Sequence, residues 1–318
     1  MRVSVIVPCY NARPWLRETL DSVVQQNLPE LEVIVVDDGS TDGSADFVRE
    51  QFPQVRVMTT QHAGPSRARN VGTEQARGAF IQYLDADDLL GPGKLKAQLA
   101  ALESSGADVA YGAWRELQQI GATFAPGRVV ERRLPSEADV ELLTEFWCPP
   151  AAYLFRRTIV ERVGGWNEGL PVIQDARFVL DCALHGGQFV FCDRLAAYYR
   201  RHSSGSVSTT DRPGFWRDCL RSASEVEQWW QERGLLTPRR KTALVHAYGN
   251  VARASFGRDP RTFEAAYAAL ERLQPGYVPR FPRHLAMASR LLGYRRAEAA
   301  ATWYRRAKRS LRLVGRPA

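Results

Sequence analysis

Four short runs rich in β-branched and aromatic residues, at 3–7, 31–36, 55–59 and 80–84, punctuate the start of the chain. They are nearly continuous in apolar side chains rather than alternating, which predicts strands covered on both faces of a parallel sheet. The intervals carry the period of amphipathic helices: residues 14–26, with Leu16, Leu20, Val23 and Val24 apolar, then 43–51 and 65–76. Pro14 suits a first helical turn, and Ser40 and Thr41 offer a cap for the second helix. The order β-α-β-α-β-α-β up to Asp85 is the outline of a nucleotide-binding half-domain.

Beyond Asp88 the pattern is mixed. Residues 94–103, 137–146 and 175–184 read as helices, and 108–114, 152–155, 188–192 and 196–201 as extended segments. Residues 121–133 read as a hairpin or a loop. From about Pro213 the period is helical, with breaks predicted at 234–238, 259–260, 275–276 and Gly293. The expected division is therefore 1–212, in halves 1–115 and 116–212, followed by a helical region 213–318.

Composition changes this picture in two places. The 318 residues carry a net charge of +8, but from Thr237 onward 18 Lys and Arg face 4 Asp and Glu, leaving −6 on the first 236 residues. A basic tail on an acidic body points to an anionic partner for the tail or to an arginine-rich solvated face. In residues 298–314, Ala300, Tyr304, Ala307, Leu311 and Val314 share one helical face, a layout suited to an anionic membrane surface or to packing on the catalytic domain. The five cysteines are scattered without a CxxC pair, which suits a reduced cytoplasm better than a disulfide scaffold or zinc site. With no membrane-spanning run and no signal-peptide layout at the N-terminus, the expectation is a cytoplasmic protein, peripheral at most.

The candidate chemistry gathers at strand ends. The fourth run stops in Asp85, Asp87 and Asp88, hard oxygen ligands suited to Mg²⁺ or Mn²⁺ bridging to phosphate, or to a solvated acidic turn. The first run ends in Pro8-Cys9-Tyr10-Asn11, where Tyr10 can stack on a base or cap the core. The second ends in Asp37-Asp38-Gly39, where a carboxylate can accept from a pyrimidine N3–H or a ribose hydroxyl. Gly64-Pro65-Ser66-Arg67-Ala68-Arg69-Asn70 opens a helix whose amides and arginines favour a diphosphate, unless Arg67 and Arg69 pair with Asp37 or Asp88.

Taken together, the segments 4–11, 33–44, 64–70 and 83–88 resemble the ordered signature of family 2 glycosyltransferases. The resemblance implies a GT-A-like α/β fold, a Rossmann-like mixed, mostly parallel sheet flanked by helices, and inverting sugar transfer from a nucleotide-diphosphate donor, UDP-linked by expectation. It implies that Pro8, Tyr10, Asp38 and Arg67 bind the donor, that Asp87 holds Mn²⁺ or Mg²⁺, and that Asp85 lies by the ribose or the metal. Gly164-Gly165-Trp166 followed by Ile173-Gln174-Asp175 resembles the family's base segment. Asp175 falls in the position of the general base, and Gln174 stands where a Glu is usual. Residues 199–206 resemble a later loop in which His202 nears the diphosphate or metal. The implied acceptor is a cell-surface glycan or its lipid-linked precursor, with peripheral membrane contact through the basic tail and no nucleic-acid partner. Two other readings stay open. One is a degenerate transferase kept as a carbohydrate-binding or scaffold subunit; the other is a nucleotidylyltransferase, whose Gly-rich basic phosphate loop is missing after the first strand.

Overall fold

In the computed structural model, residues 2–121, 123–203 and 207–314 are described, the side chains of 207–208 and 305–314 excepted. The chain divides into two compact units, Met1–Thr210 and Asp211–Ala318.

In the first unit, β1 (Val3–Cys9), β2 (Leu31–Asp37), β3 (Arg56–Thr59) and β4 (Phe80–Tyr83) alternate with α1 (Arg13–Val24), α2 (Ser44–Gln51) and α3 (Pro65–Gln75). There follow β5 (Leu89–Leu90), α4 (Lys94–Ser105), β6 (Val109–Ile120), β7 (Thr123–Val130), α5 (Ala138–Thr144), β8 (Tyr153–Arg156), α6 (Arg157–Val163), α7 (Gln174–Leu184), β9 (Phe189–Arg201) and α8 (Val207–Thr210). Among the described residues these strands form one sheet in the order β3-β2-β1-β4-β8-β6-β9-β5, with β7 beside β6.

The first four strands are parallel because each return passes through a helix. Every residue of β1 is buried, as its continuous apolar run requires. Burying Leu16, Leu20 and Val23 of α1 contributes about 1.5–3 kcal/mol each. In the other half, β4–β8, β8–β6, β6–β7 and β5–β9 are antiparallel, while β6 and β9 run parallel. Parallel and antiparallel pairings are thus equal in number, and the parallel part is the half that carries the strand-helix alternation.

Local details differ from the pattern. Residues 121–133 are mostly strand, because β7 extends β6 into a long hairpin. The segments expected at 188–192 and 196–201 form one strand, β9. Ser40 and Thr41 do not cap α2. Gly43 at φ 80° precedes it, the Asp42 carboxylate accepts from Ser44 N at 3.0 Å, and Ser40 and Thr41 turn to Asn11. Pro8 lies past the last β1–β4 pair, Ile6–Tyr83, so its missing N–H costs no ladder bond on that side. Gly72 sets how closely α3 lies on the sheet: a Cβ there would stand 2.5 Å from Ile6 Cγ2 and 3.1 Å from Val36 Cγ2.

The second unit is helical: α9 (Arg212–Glu232), α10 (Pro238–Ser255), α11 (Pro260–Leu273), α12 (Arg283–Leu292) and α13 (Tyr294–Val314). Asp211, Thr237 and Asp259 cap α9, α10 and α11, each with a proline in the first turn. Trp230, Leu244, Val251, Ala266 and Leu270 fill its core. Inside it Glu227 accepts from Arg272 and, at 2.8 Å, from Tyr248. The side chains of Ala307, Leu311 and Val314, invoked for the amphipathic tail, lie outside the described residues, as do Ser204, Gly205 and Ser206.

Candidate functional site

The C-terminal edge of β1, β2 and β4 gathers the acidic turn, because parallel strands in register deliver their loops to one side. β9 then crosses that turn. Its pairing with β5 sets Tyr198 opposite Leu89, which aims Tyr199–His202 at Asp85–Asp88. The Arg200 amide donates to Asp88 Oδ1 at 2.9 Å, and its guanidinium donates to the Asp87 carbonyl at 2.6 Å and pairs with Glu18. One buried arginine thereby fixes the acidic turn in shape.

The acids have different neighbours. Asp85 is paired with Arg69, and burial raises its carboxyl above the usual range against that attraction. Asp87 Oδ2 lies 2.8 Å from Nε2 of His202, whose ring packs against both Trp15 and Phe124. Asp88 is buried and pushed well up, by desolvation first and then by the charges of Asp87 and Asp85.

α7 supplies Gln174 and Asp175 from its first turn. The Gln174 carbonyl oxygen accepts from Ser66 Oγ at 2.8 Å and from Arg69 at 3.1 Å, so the neutral amide still ties α7 to α3. Asp175 Oδ2 accepts from Trp147 Nε1 at 2.6 Å, beside a narrow crevice lined by Cys148, Tyr153, Phe155 and Trp166. Tyr199 packs on Trp147, and its phenol is pushed far up, by burial first and then by Asp88, Asp85, Asp175 and Asp87. The three acids of the turn and the acid of α7 therefore act on one ring.

The residues implied for the donor fall into two groups. Tyr10 stands half-exposed at the strand edge, stacked on His62 with centroids 4.1 Å apart, and Pro8 lies buried behind it in β1. Asp38, however, is buried, and the 60–64 loop takes up its carboxylate. It accepts from Ala63 N at 2.9 Å, Gly64 N at 2.8 Å and Thr60 Oγ1 at 3.4 Å, with His62 Nδ1 at 2.9 Å. The residue expected to bind the donor is thus held by its own loop in this structure. Arg67, expected to bind the donor, lies on the outer side of α3. It faces Glu168 at 3.7 Å, both side chains exposed, while Arg69, two positions on and across the helix, enters the site. Trp166 is buried, stacked flat on Phe178 at 4.3 Å under the Arg69 guanidinium, so it belongs to the core.

Trp147 and His62 carried no sequence signal beyond being aromatic residues near a Pro-Pro pair and a Gly-Pro turn. Their partners lie 28 and 24 residues away.

A family model described as glycosyl transferase family 2 matches residues 4–164, half of the chain. The chain belongs to that family. EpsJ of Bacillus subtilis, an uncharacterized glycosyltransferase, is 26% identical over 221 residues, 66% of this chain and 64% of EpsJ. The poly(ribitol-phosphate) beta-N-acetylglucosaminyltransferase TarS of Staphylococcus aureus is 36% identical over 212 residues, 64% of this chain and 36% of TarS. Curated relatives of this kind are matched over 18% to 64% of their own length. In fold, the chain superposes on S. aureus TarS 1–349 in complex with UDP-GlcNAc with a TM-score of 0.62 at 22% identity, covering 96% of this chain and 92% of that one. The mannosyltransferase PcManGT of Pyrobaculum calidifontis, in complex with GDP-Man and Mn²⁺, gives 0.52 at 22% identity, over 95% and 83%. The fold is that of the GT-A glycosyltransferases.

Proposed function

We propose that the chain transfers a sugar, with inversion, from a nucleotide-diphosphate donor to a hydroxyl acceptor, with the aid of Mn²⁺ or Mg²⁺. The observation that carries this reading is Arg69, which pairs with Asp85 of the acidic turn and donates at 3.1 Å to Gln174, the neighbour of Asp175: a donor-holding group and a base are joined through one side chain. UDP-sugar is the favoured donor, in keeping with the UDP-GlcNAc held by the TarS structure of like fold. The favoured acceptor is a cell-surface glycan or its lipid-linked precursor, as the names of TarS and of the putative teichuronic acid transferase TuaG suggest. A cytoplasmic setting agrees with the free cysteines.

No group of three His, Cys, Asp or Glu side chains among the described residues is arranged to hold a metal. A cation bridging to a diphosphate is commonly held through one or two protein donors and completed by phosphate oxygens and water. Asp87 and His202 would be those donors, a hard oxygen beside an imidazole nitrogen 2.8 Å away. Asp85, expected by the ribose or the metal, is paired with Arg69. When bound, the cation offsets charge growing on the departing diphosphate. Arg69 adds a fixed positive charge in the same wall, and Tyr10 with His62 forms a flat surface for the base. Asp175 takes the proton of the acceptor hydroxyl during in-line attack on the sugar carbon. Trp147 holds Oδ2, which leaves Oδ1 for that proton.

A thermal-shift series with UDP, GDP and their sugars, with and without Mn²⁺, tests this reading. Stabilisation by UDP only with metal, lost in Asp87→Asn, is expected. A chain that no nucleotide stabilises in the presence of metal overturns it. Donor hydrolysis that disappears in Asp175→Asn removes the scaffold reading.

A further inference from the structure

The second unit carries a surface that the transfer chemistry does not use. On α12, Leu285 and Ser289 point inward, buried one turn apart. On the opposite side Met287 and Leu291, also one turn apart, are 63% and 83% exposed. Arg283 and Arg290 border this stripe on one side and His284 on the other, all exposed. Phe281, just before the helix, is 72% exposed, and on α13 Trp303 is 73% exposed, two turns beyond the exposed Arg296. Exposed apolar side chains thus recur at 281, 287, 291 and 303, with exposed arginines at 283, 290 and 296 between them.

Charge decides what can cover such a face. Between residues 275 and 304 there are five arginines and one acid, and that acid, Glu298, is fully buried. A second copy would bring the same positive face against this one. A soluble polyanion would match the arginines but leave Leu291, Met287 and Phe281 in water. The headgroup layer of an anionic bilayer satisfies both: phosphates for the guanidinium groups, and an apolar boundary a few ångströms deeper for the side chains. Among the described residues no helix is long and apolar enough to cross a membrane, so the contact is one of lying on the surface.

We propose that the outer face of α12, with Phe281 before it and Trp303 on α13, docks on an anionic lipid bilayer. This rests on the second unit alone and stands apart from the transfer reading.

The test is co-sedimentation of the full chain with vesicles of phosphatidylcholine alone and with about a third phosphatidylglycerol. Binding to the anionic vesicles only is expected, weakening as NaCl rises from about 0.1 M to about 0.5 M because the Debye length contracts. Met287→Asp with Leu291→Asp abolishes it. Arg283→Gln and Arg290→Gln weaken it about fivefold each. All four side chains are exposed, so unchanged melting temperatures are expected, and the two variant pairs check one another. Equal binding to neutral vesicles overturns the proposal, as does wild-type binding by M287D/L291D. A dimer in light scattering that M287D/L291D dissociates, without vesicle binding, reassigns the face to self-association and overturns it. Retention on heparin that survives M287D/L291D, without vesicle binding, reassigns the arginines to a soluble polyanion and likewise overturns it.

Discussion

Trp147 Nε1 donates to Asp175 Oδ2 at 2.6 Å, from a loop residue 28 positions before the acid. The bond is charge-assisted, and the indole is itself held edge-on by Trp114 and Tyr199. A carboxylate tethered at one oxygen presents the other in a fixed direction, as proton abstraction from a bound hydroxyl requires.

Trp147→Phe keeps the ring and removes the donor. Turnover is expected to fall about 10- to 100-fold while the KM for the donor stays near its original value, since the acid's placement changes and the nucleotide pocket does not. Steady-state kinetics at varied donor concentration reads this split. A rise in KM with kcat unchanged would assign Trp147 to donor binding instead.

The two arginines of α3 separate by context. Arg69→Met leaves Asp85 in a crowded acidic turn without its cation, and a loss of about 3–5 kcal/mol is expected, as for breaking a buried pair. Arg67→Met removes an exposed 3.7 Å pair with Glu168 and is expected to cost under about 1 kcal/mol. Urea denaturation of both variants measures the contrast. Equal losses would show that Arg69 has no special place in the wall.

Glu227 ties α9 to α10 and α11. Burial works against its ionisation, but hydrogen bonds from Arg272 and Tyr248 outweigh that, and its folded pKa lies below the usual 4.5. A depressed carboxylate pKa gives stability that is present above the unfolded value and lost as pH falls through the folded one. Glu227→Gln is therefore expected to destabilise the protein at pH 7 by about 1–3 kcal/mol. The gap between variant and parent should narrow below pH 4.5. Melting temperatures from pH 7 to pH 3 follow it, and a gap that widens in acid would contradict the assignment.

The thiols are expected to be inert. Cys9, Cys148 and Cys182 are buried, and desolvation pushes Cys9 up to about 11 and Cys148 up to about 12. Mass spectrometry after iodoacetamide treatment at pH 8 should find these three unmodified in the native protein and labelled after denaturation. Rapid native labelling of Cys148 would mean that the crevice beside Asp175 opens.

The alternating strands and helices up to Asp85 were legible because each is decided within about ten residues, by apolar period and chain breakers. The caps at Asp211, Thr237 and Asp259 are as local, and the breaks expected at 234–238 and 259–260 fall at two of them. The β6–β7 hairpin was less legible, since β7 is largely exposed and its pattern gives no buried face to count. The family resemblance also implied that Gln174 stands where a charged Glu is usual. That its amide still takes hydrogen bonds from Ser66 and Arg69 was visible only in space.

Residue order alone dictates that a parallel strand ends in acids, that a further acid opens a later helix, and that positive charge gathers at the C-terminus. Each is a property of neighbours along the chain. Which acid meets which cation or amide is settled in three dimensions: Asp85 with Arg69, Asp87 with His202, Asp88 with the Arg200 amide, and Asp38 with its own loop. Those pairings depend on the register of β9 on β5 and on the close seat of α3 over β1. Register is fixed by the fit of whole faces against each other, and a shift of one residue would have turned the β9 side chains away from the acidic turn.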